Sequence, residues 1–239
     1  MRNATYSLFG ATMVFVSSMV GCGARDAYNH GVDAQKRNDF DLAISCYTEA
    51  IRFDRKYALA YCGRGAAYRN KGNYDRAIAD CTEAIRLDPK CTEAYYNRGS
   101  CYRSKRDYDR AISDCTEAIR LDPKCTEAYY NRGSCYRSKG DQDRAITDYT
   151  QLIHLNPKDT KAYFARGMAK YAKAFHNHGT AGSKGDYDEA IIDYTEAIRL
   201  DPKYADAYYF RSGSYEMKGE KSKAEADVAE AKRLGFHEK

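Results

Sequence analysis

Tryptophan is absent from the 239 residues and proline occurs four times, which excludes a collagen-like or proline-rich chain. Charge of one sign is scarce as well. Lys and Arg number 39 against 34 Asp and Glu, and a surplus of +5 makes no nucleic-acid footprint unless it is clustered on one face. The longest mostly apolar run, Leu8 to Val20, is too short to span a bilayer as a stable helix. No Gly-x-Ser-x-Gly elbow, His-Glu-x-x-His pair or dinucleotide fingerprint occurs, and Gly179 to Gly185 lacks the order of a phosphate loop. The nine cysteines form no Cys-x-x-Cys or Cys-His cluster at ligand spacing, so neither a metal nor another cofactor is expected. Carboxylates are plentiful but periodic, as in Glu49, Glu83, Glu117, Glu196 and Glu230, each followed three residues later by Arg. A catalytic group would be singular, and the chain reads as a non-enzyme. At 43% hydrophobic residues it is nevertheless too apolar to be wholly disordered.

Residues 1–23 have the shape of a secretory signal: Arg2, the run from Leu8 to Val20, then small residues. Ser18-Met19-Val20-Gly21-Cys22 resembles a bacterial lipobox, with Met19 where Leu is usual. The resemblance implies a diacylglyceryl group on Cys22 and an exported, membrane-anchored protein of the cell envelope. A cytoplasmic location follows if the segment is not a signal.

The rest of the chain repeats itself. Residues 81–105 recur letter for letter at 115–139, an offset of 34. A frame of that length gives units 24–57, 58–91, 92–125, 126–159, 160–204 (with an 11-residue insertion) and 205–238. The eighth place holds Gly31, Gly65, Gly99, Gly133, Gly167 and Ser212, and the twentieth holds Ala in all six. In the second unit Tyr74, Ala77, Ile78, Cys81, Ala84 and Ile85 form one stripe of an α-helix. Tyr61, Arg64, Gly65 and Tyr68 form a shorter stripe before it. Lys71-Gly72-Asn73 supplies a left-handed stop and a new N-cap, and Asp88-Pro89 ends the unit. Arg106 stands where the other turns carry Gly, at a cost of roughly 1 kcal/mol for positive φ.

Tyr95, Gly99, Tyr102, Ala111, Ala118 and Pro123 of the third unit match the pattern of tetratricopeptide (TPR) repeats, which the units resemble over about nine-tenths of the chain. The resemblance implies an all-α fold: an α-solenoid of six stacked helix-turn-helix repeats in a right-handed superhelix, with a concave groove that binds other proteins.

Arg64, Arg98, Arg132, Arg166 and Arg211 at the seventh place accompany Asp80, Asp114, Asp148, Asp193 and Asp227 at the twenty-third, and the first unit lacks both. Joint presence predicts an ion pair between the two helices of a unit. Spacing also offers two bridges, Cys81 with Cys101 and Cys115 with Cys135, which an oxidising compartment would permit. The insertion at 172–184, with His176 and His178, reads as a solvated loop.

Helical geometry puts the second, fifth, sixth, ninth and twelfth places of each first helix on one face. In the central units these are Glu93, Tyr96, Asn97, Ser100 and Arg103, then Glu127, Tyr130, Asn131, Ser134 and Arg137, with Tyr28 and Phe164 among those of the flanking units. Tyr and Arg suit binding hot spots, and Asn can hydrogen-bond the backbone of an extended peptide. The expected function is a protein-interaction scaffold holding peptide segments in this groove. The alternatives are a single-stranded nucleic-acid binder, which export disfavours, and a cytosolic adaptor. A second copy of the chain is a further candidate partner, through the uncapped first helix. The two-carboxylate clamp that some TPR proteins use is missing, since Tyr28, Cys62, Val32, Ala66 and Glu127 stand where Lys or Asn is needed.

Overall fold

The computed structural model describes residues 23–176 and 183–237, residues 183–186 as backbone only. The signal and lipobox, with Cys22, lie outside the described residues, as does His178. Among the described residues there are twelve α-helices and no strand. The chain divides into two compact units, Met1–Cys101 and Tyr102–Lys239, and the division falls within one helix.

The first unit contains α1 (Ala24–Lys36), α2 (Phe40–Phe53), α3 (Ala58–Asn70), α4 (Tyr74–Leu87) and most of α5 (Thr92–Ser104). The helices pair because short polar turns separate them. Asp39 and Asn73 accept hydrogen bonds from the backbone N–H of Leu42 and Arg76, capping α2 and α4 at the residue where each begins. Gly72 before the second cap takes φ 74°, the left-handed conformation that closes the preceding helix. Buried side chains are small: Ala27, Ala34, Ala43, Ala50, Ala60, Ala67, Ala77 and Ala84 are sealed from solvent. Alanine at these places lets helices approach closely, and one large ring fills the remaining gap. Tyr47 lies between Gly31 and Gly63, where an added Cβ would stand 2.6 and 2.7 Å from ring carbons.

The second unit contains α6 (Tyr108–Leu121), α7 (Thr126–Ser138), α8 (Gln142–Leu155), α9 (Thr160–His176), α10 (Ser183–Leu200), α11 (Ala205–Lys218) and α12 (Lys221–Arg233). Tyr149 and Tyr194 repeat the device of Tyr47, each ring against the eighth-place glycine of its own repeat, Gly133 and Gly167. Arg106 does adopt positive φ, 63°. The described parts of the insertion are helical rather than the loop expected. They lengthen both helices of the repeat, α9 running 17 residues where α3 has 13, and α10 running 18 where α4 has 14. His176 is helical, its Nδ1 2.7 Å from the Ala172 carbonyl one turn back. The final residues close the end of the array. Phe236 stands at the place that holds Pro89, Pro123, Pro157 and Pro202 elsewhere, and its ring stacks on Tyr209 at 4.1 Å and 22°.

The repeated Arg-Asp pairs are bidentate. Arg64 reaches Asp80 at 2.7 and 2.8 Å, and Arg132 reaches Asp148 at 2.9 and 2.7 Å. Arg166–Asp193 and Arg211–Asp227 follow the same pattern. Each of these arginines also donates from Nη1 to a threonine of the preceding repeat, Thr48, Thr116, Thr150 and Thr195. Each lies over the tyrosine three residues before it, as Arg64 does over Tyr61 at 5.6 Å. Three of the five guanidinium N–H donors are thus held within the array, and each arginine serves first as a tie between helices.

Candidate functional site

The first helices of the repeats carry the residues assigned to ligand binding, and the structure sorts them into two groups. Asn97 and Asn131 are turned inward, 3% and 7% exposed, and so is Ser134 at 6%. Asn97 is fully engaged: its Oδ1 accepts from Arg69 Nη1 at 2.7 Å and its Nδ2 lies 3.9 Å from Cys62 Sγ. Ser134 Oγ lies 3.2 Å from the Tyr149 hydroxyl. Phe164 packs in an aromatic cluster with Tyr194, Tyr204 and Phe210, at centroid distances of 5.9, 5.0 and 5.4 Å. The two asparagines and Ser134 build the wall rather than present themselves to a peptide, while Phe164 is half-buried and keeps part of its ring accessible. The sixth place sits at the edge of the face, and a small side chain there is drawn into the gap between neighbouring helices.

The other group stays accessible. Tyr130 is 38% exposed, and Tyr96, Ser100, Arg103 and Arg137 are half-buried. The Nε of Arg103 and that of Arg137 are buried without a hydrogen-bond partner among the described residues. Arg137 instead lies against the Tyr149 phenol. Burial raises the pKa of that phenol, while Ser134 and Arg137 oppose the rise.

Within the first unit the same face opens into a cavity of about 370 Å³. Tyr28 of α1 and Tyr96 of α5 stand on its sides, Tyr47 lies beneath, and Cys62 and Gly63 of α3 form the wall between them. Gln35 fixes the Tyr47 hydroxyl at 3.2 Å. Glu93, exposed at the rim, has no cationic partner among the described residues, whereas the rim's Lys36 pairs with Asp33 at 3.2 Å. The Tyr28 phenol is pushed up chiefly by burial and then by its neighbours Tyr57, Cys62 and Glu93, which places the Glu93 charge at the cavity. Of these residues the sequence reading placed Glu93, Tyr96 and Asn97 at the groove's central positions and Tyr28 in a flanking unit.

All eight described cysteines are buried and none is in a disulfide, so neither expected bridge is formed. Cys81 and Cys115 face Cys101 and Cys135 across the helix pair as thiols, and burial in the alanine core raises all four. A different pair interacts most directly. Cys62 and Cys91 shift in opposite directions through their mutual contact, Cys62 upward and Cys91 downward.

The helices are paired, joined by tight turns, tied by an Arg-Asp pair and repeated at one period. The tetratricopeptide repeat profile matches residues 58–91, 92–125 and 126–159, and a second TPR profile matches 36–72 and 183–219. The chain is a TPR protein. No curated protein matches this TPR chain in sequence. Among solved structures it is similar to MamA, with 28% identity, 77% of this chain and 94% of that one covered, and a TM-score of 0.61. It is similar to YrrB, a TPR protein with an unusual peptide-binding site, at 25% identity, with 79% and 92% covered and a TM-score of 0.64. PilF of Pseudomonas aeruginosa shares the fold at 17% identity, with 89% and 92% covered and a TM-score of 0.74. Among the described residues no helix of this TPR chain is long and apolar enough to cross a membrane.

Proposed function

We propose that this TPR protein is a non-catalytic scaffold that holds segments of partner proteins against the accessible face of its first helices. The observation that carries the reading is the open cavity between Tyr28 and Tyr96, a concave aromatic site with few polar groups, the form that side-chain recognition takes. The likeness to YrrB, whose structure has a peptide-binding site, supports it. Nucleic-acid binding is disfavoured, because the seventh-place arginines that would meet phosphates are committed to Asp80, Asp148, Asp193 and Asp227. Export and anchoring through Cys22 complete the proposal, on the strength of the signal-like segment and the lipobox resemblance.

Affinity capture from cells with the native chain, beside a variant carrying Tyr96→Ala, Arg103→Ala, Tyr130→Ala and Arg137→Ala, tests the scaffold. Partner recovery should fall in the variant, and equal recovery overturns the assignment of that face. Fractionation and the mass of the mature N-terminus, with Cys22→Ser as control, test the anchor. An intact Met1 in the cytosol refutes it.

A further inference from the structure

The fifth place of the first helix is aromatic in five repeats, Tyr28, Tyr96, Tyr130, Phe164 and Tyr209, and in the second repeat it is Cys62. The cavity lies where that ring is missing. Its sides are the fifth-place rings of the repeats before and after, Tyr28 and Tyr96, and Cys62 is the side chain between them. The next residue deepens the gap. Gly63 stands where the neighbouring repeats carry Asn29 and Asn97, and the Tyr47 ring occupies the space a side chain there would take. The result is a slot between two aromatic rings, floored by a third, with Val32, Leu59 and Ala66 as further apolar lining.

Two aromatic walls favour an aromatic guest, because edge-to-face and offset ring contacts contribute beyond the area they bury. The rim adds a sign. Among the described residues Glu93 is exposed with no ion-pair partner, its Oε2 4.0 Å from Cys91 Sγ, while Lys36 is paired with Asp33 and Arg69 is bound to Asn97, so the local field at the opening favours a cation next to the guest ring. We infer that the Cys62–Gly63 gap is a docking pocket for an aromatic side chain of a partner peptide, with a Lys or Arg beside it that meets Glu93. The guest ring supplies the one that the second repeat lacks. This inference rests on the scaffold reading and names the ligand class of one part of its face.

The absence of tryptophan from the chain makes the test direct. A short Gly/Ser peptide with a single Trp-Lys pair is titrated with the full protein and its indole emission followed, beside peptides with Trp-Glu and Ala-Lys in the same place. The Trp-Lys peptide should bind best and the Ala-Lys peptide, read by calorimetry, should not. Cys62→Tyr restores the ring found in five other repeats and fills the pocket, so affinity should fall by about tenfold or more. Glu93→Gln should erase the preference for Lys over Glu. A second measurement does not depend on the variant folding: a photoreactive phenylalanine in place of Trp should crosslink to residues of α1, α3 or α5 that line the cavity. Equal binding by wild type and a folded Cys62→Tyr protein, or crosslinks confined to residues 102–239, overturns the pocket and leaves the scaffold reading standing. Failure of the quadruple-alanine capture experiment alone, with pocket binding intact, overturns the assignment of the wider face and not the pocket.

Discussion

Arg69 donates from Nη1 to Asn97 Oδ1 across 2.7 Å, and so joins the twelfth place of one repeat to the sixth place of the next. The acceptor is 3% exposed, which makes the bond a structural tie. The corresponding sixth-place residue after Arg137 is Ala165, which offers no acceptor. The same arginine position therefore ties to the next repeat in one case and to the Tyr149 phenol of its own repeat in the other.

Arg69→Ala should cost about 1–3 kcal/mol in urea unfolding, because it leaves the buried Asn97 oxygen unsatisfied. Arg137→Ala should cost less, because the Tyr149 phenol it leaves keeps Ser134 Oγ at 3.2 Å as a partner. Equal losses would show that the Asn97 bond contributes nothing specific.

Arg106→Gly should stabilise the protein by up to about 1 kcal/mol, since φ 63° suits glycine and strains arginine. The greater freedom of glycine in the unfolded chain offsets part of the gain. A fall in thermal midpoint would show that the Arg106 side chain earns its place, through its 3.4 Å contact with the Tyr108 hydroxyl.

Gly31→Ala should destabilise by about 1–3 kcal/mol, as overpacking does. The new Cβ would meet the Tyr47 ring at 2.6 Å, and that ring is held from the other side by Gly63. Gly213→Ala, inside a helix and with its nearest contact at 3.8 Å, is the control and should be neutral or slightly stabilising.

Cys91 should be alkylated before Cys81 or Cys101 when a small reagent is added to the native protein. Contact with the Cys62 thiol lowers Cys91 despite its burial, whereas burial raises Cys81 and pushes Cys101 up to about 11. Cys62→Ala removes that contact and should slow Cys91. Peptide mapping at short times reads the order, and unchanged Cys91 kinetics in the variant would refute the cause.

Acid should weaken the fold with a definite sign. Glu83, Glu117 and Glu230 are held below the ordinary carboxylate range by hydrogen bonds from Arg86, Arg120 and Arg233. A depressed folded value means stability that is present above the unfolded value, about 4.3 for Glu, and lost as pH falls through the folded one. These pairs are exposed, so high salt should shrink the effect. Melting curves of Glu83→Gln with Glu117→Gln should show a shallower acid decline than wild type.

Helix pairing, turn chemistry and the Arg-Asp ties were legible in the sequence because each recurs at one period. The joint absence of both partners in the first repeat even identified them as a pair. What the sequence obscured concerns single places. A helical wheel puts Asn97 on the ligand face, but only the neighbour's Arg69 decides that it turns inward. The insertion read as a loop because Gly and His interrupt it, yet α9 and α10 grow along their own axes first. The threonine contacts of the seventh-place arginines link residues 16 apart in successive repeats, a spacing with no local signature. The pocket escaped notice because it is made by a missing ring, and a motif search registers what is there.

Phe236 on Tyr209 acts as punctuation. Where proline leads on from one repeat to the next, phenylalanine folds back and closes the sentence. A designer wishing to lengthen this protein should therefore splice new repeats at an interior Asp-Pro junction such as Asp88-Pro89. Added after Phe236, they would first have to pull that ring from its seat.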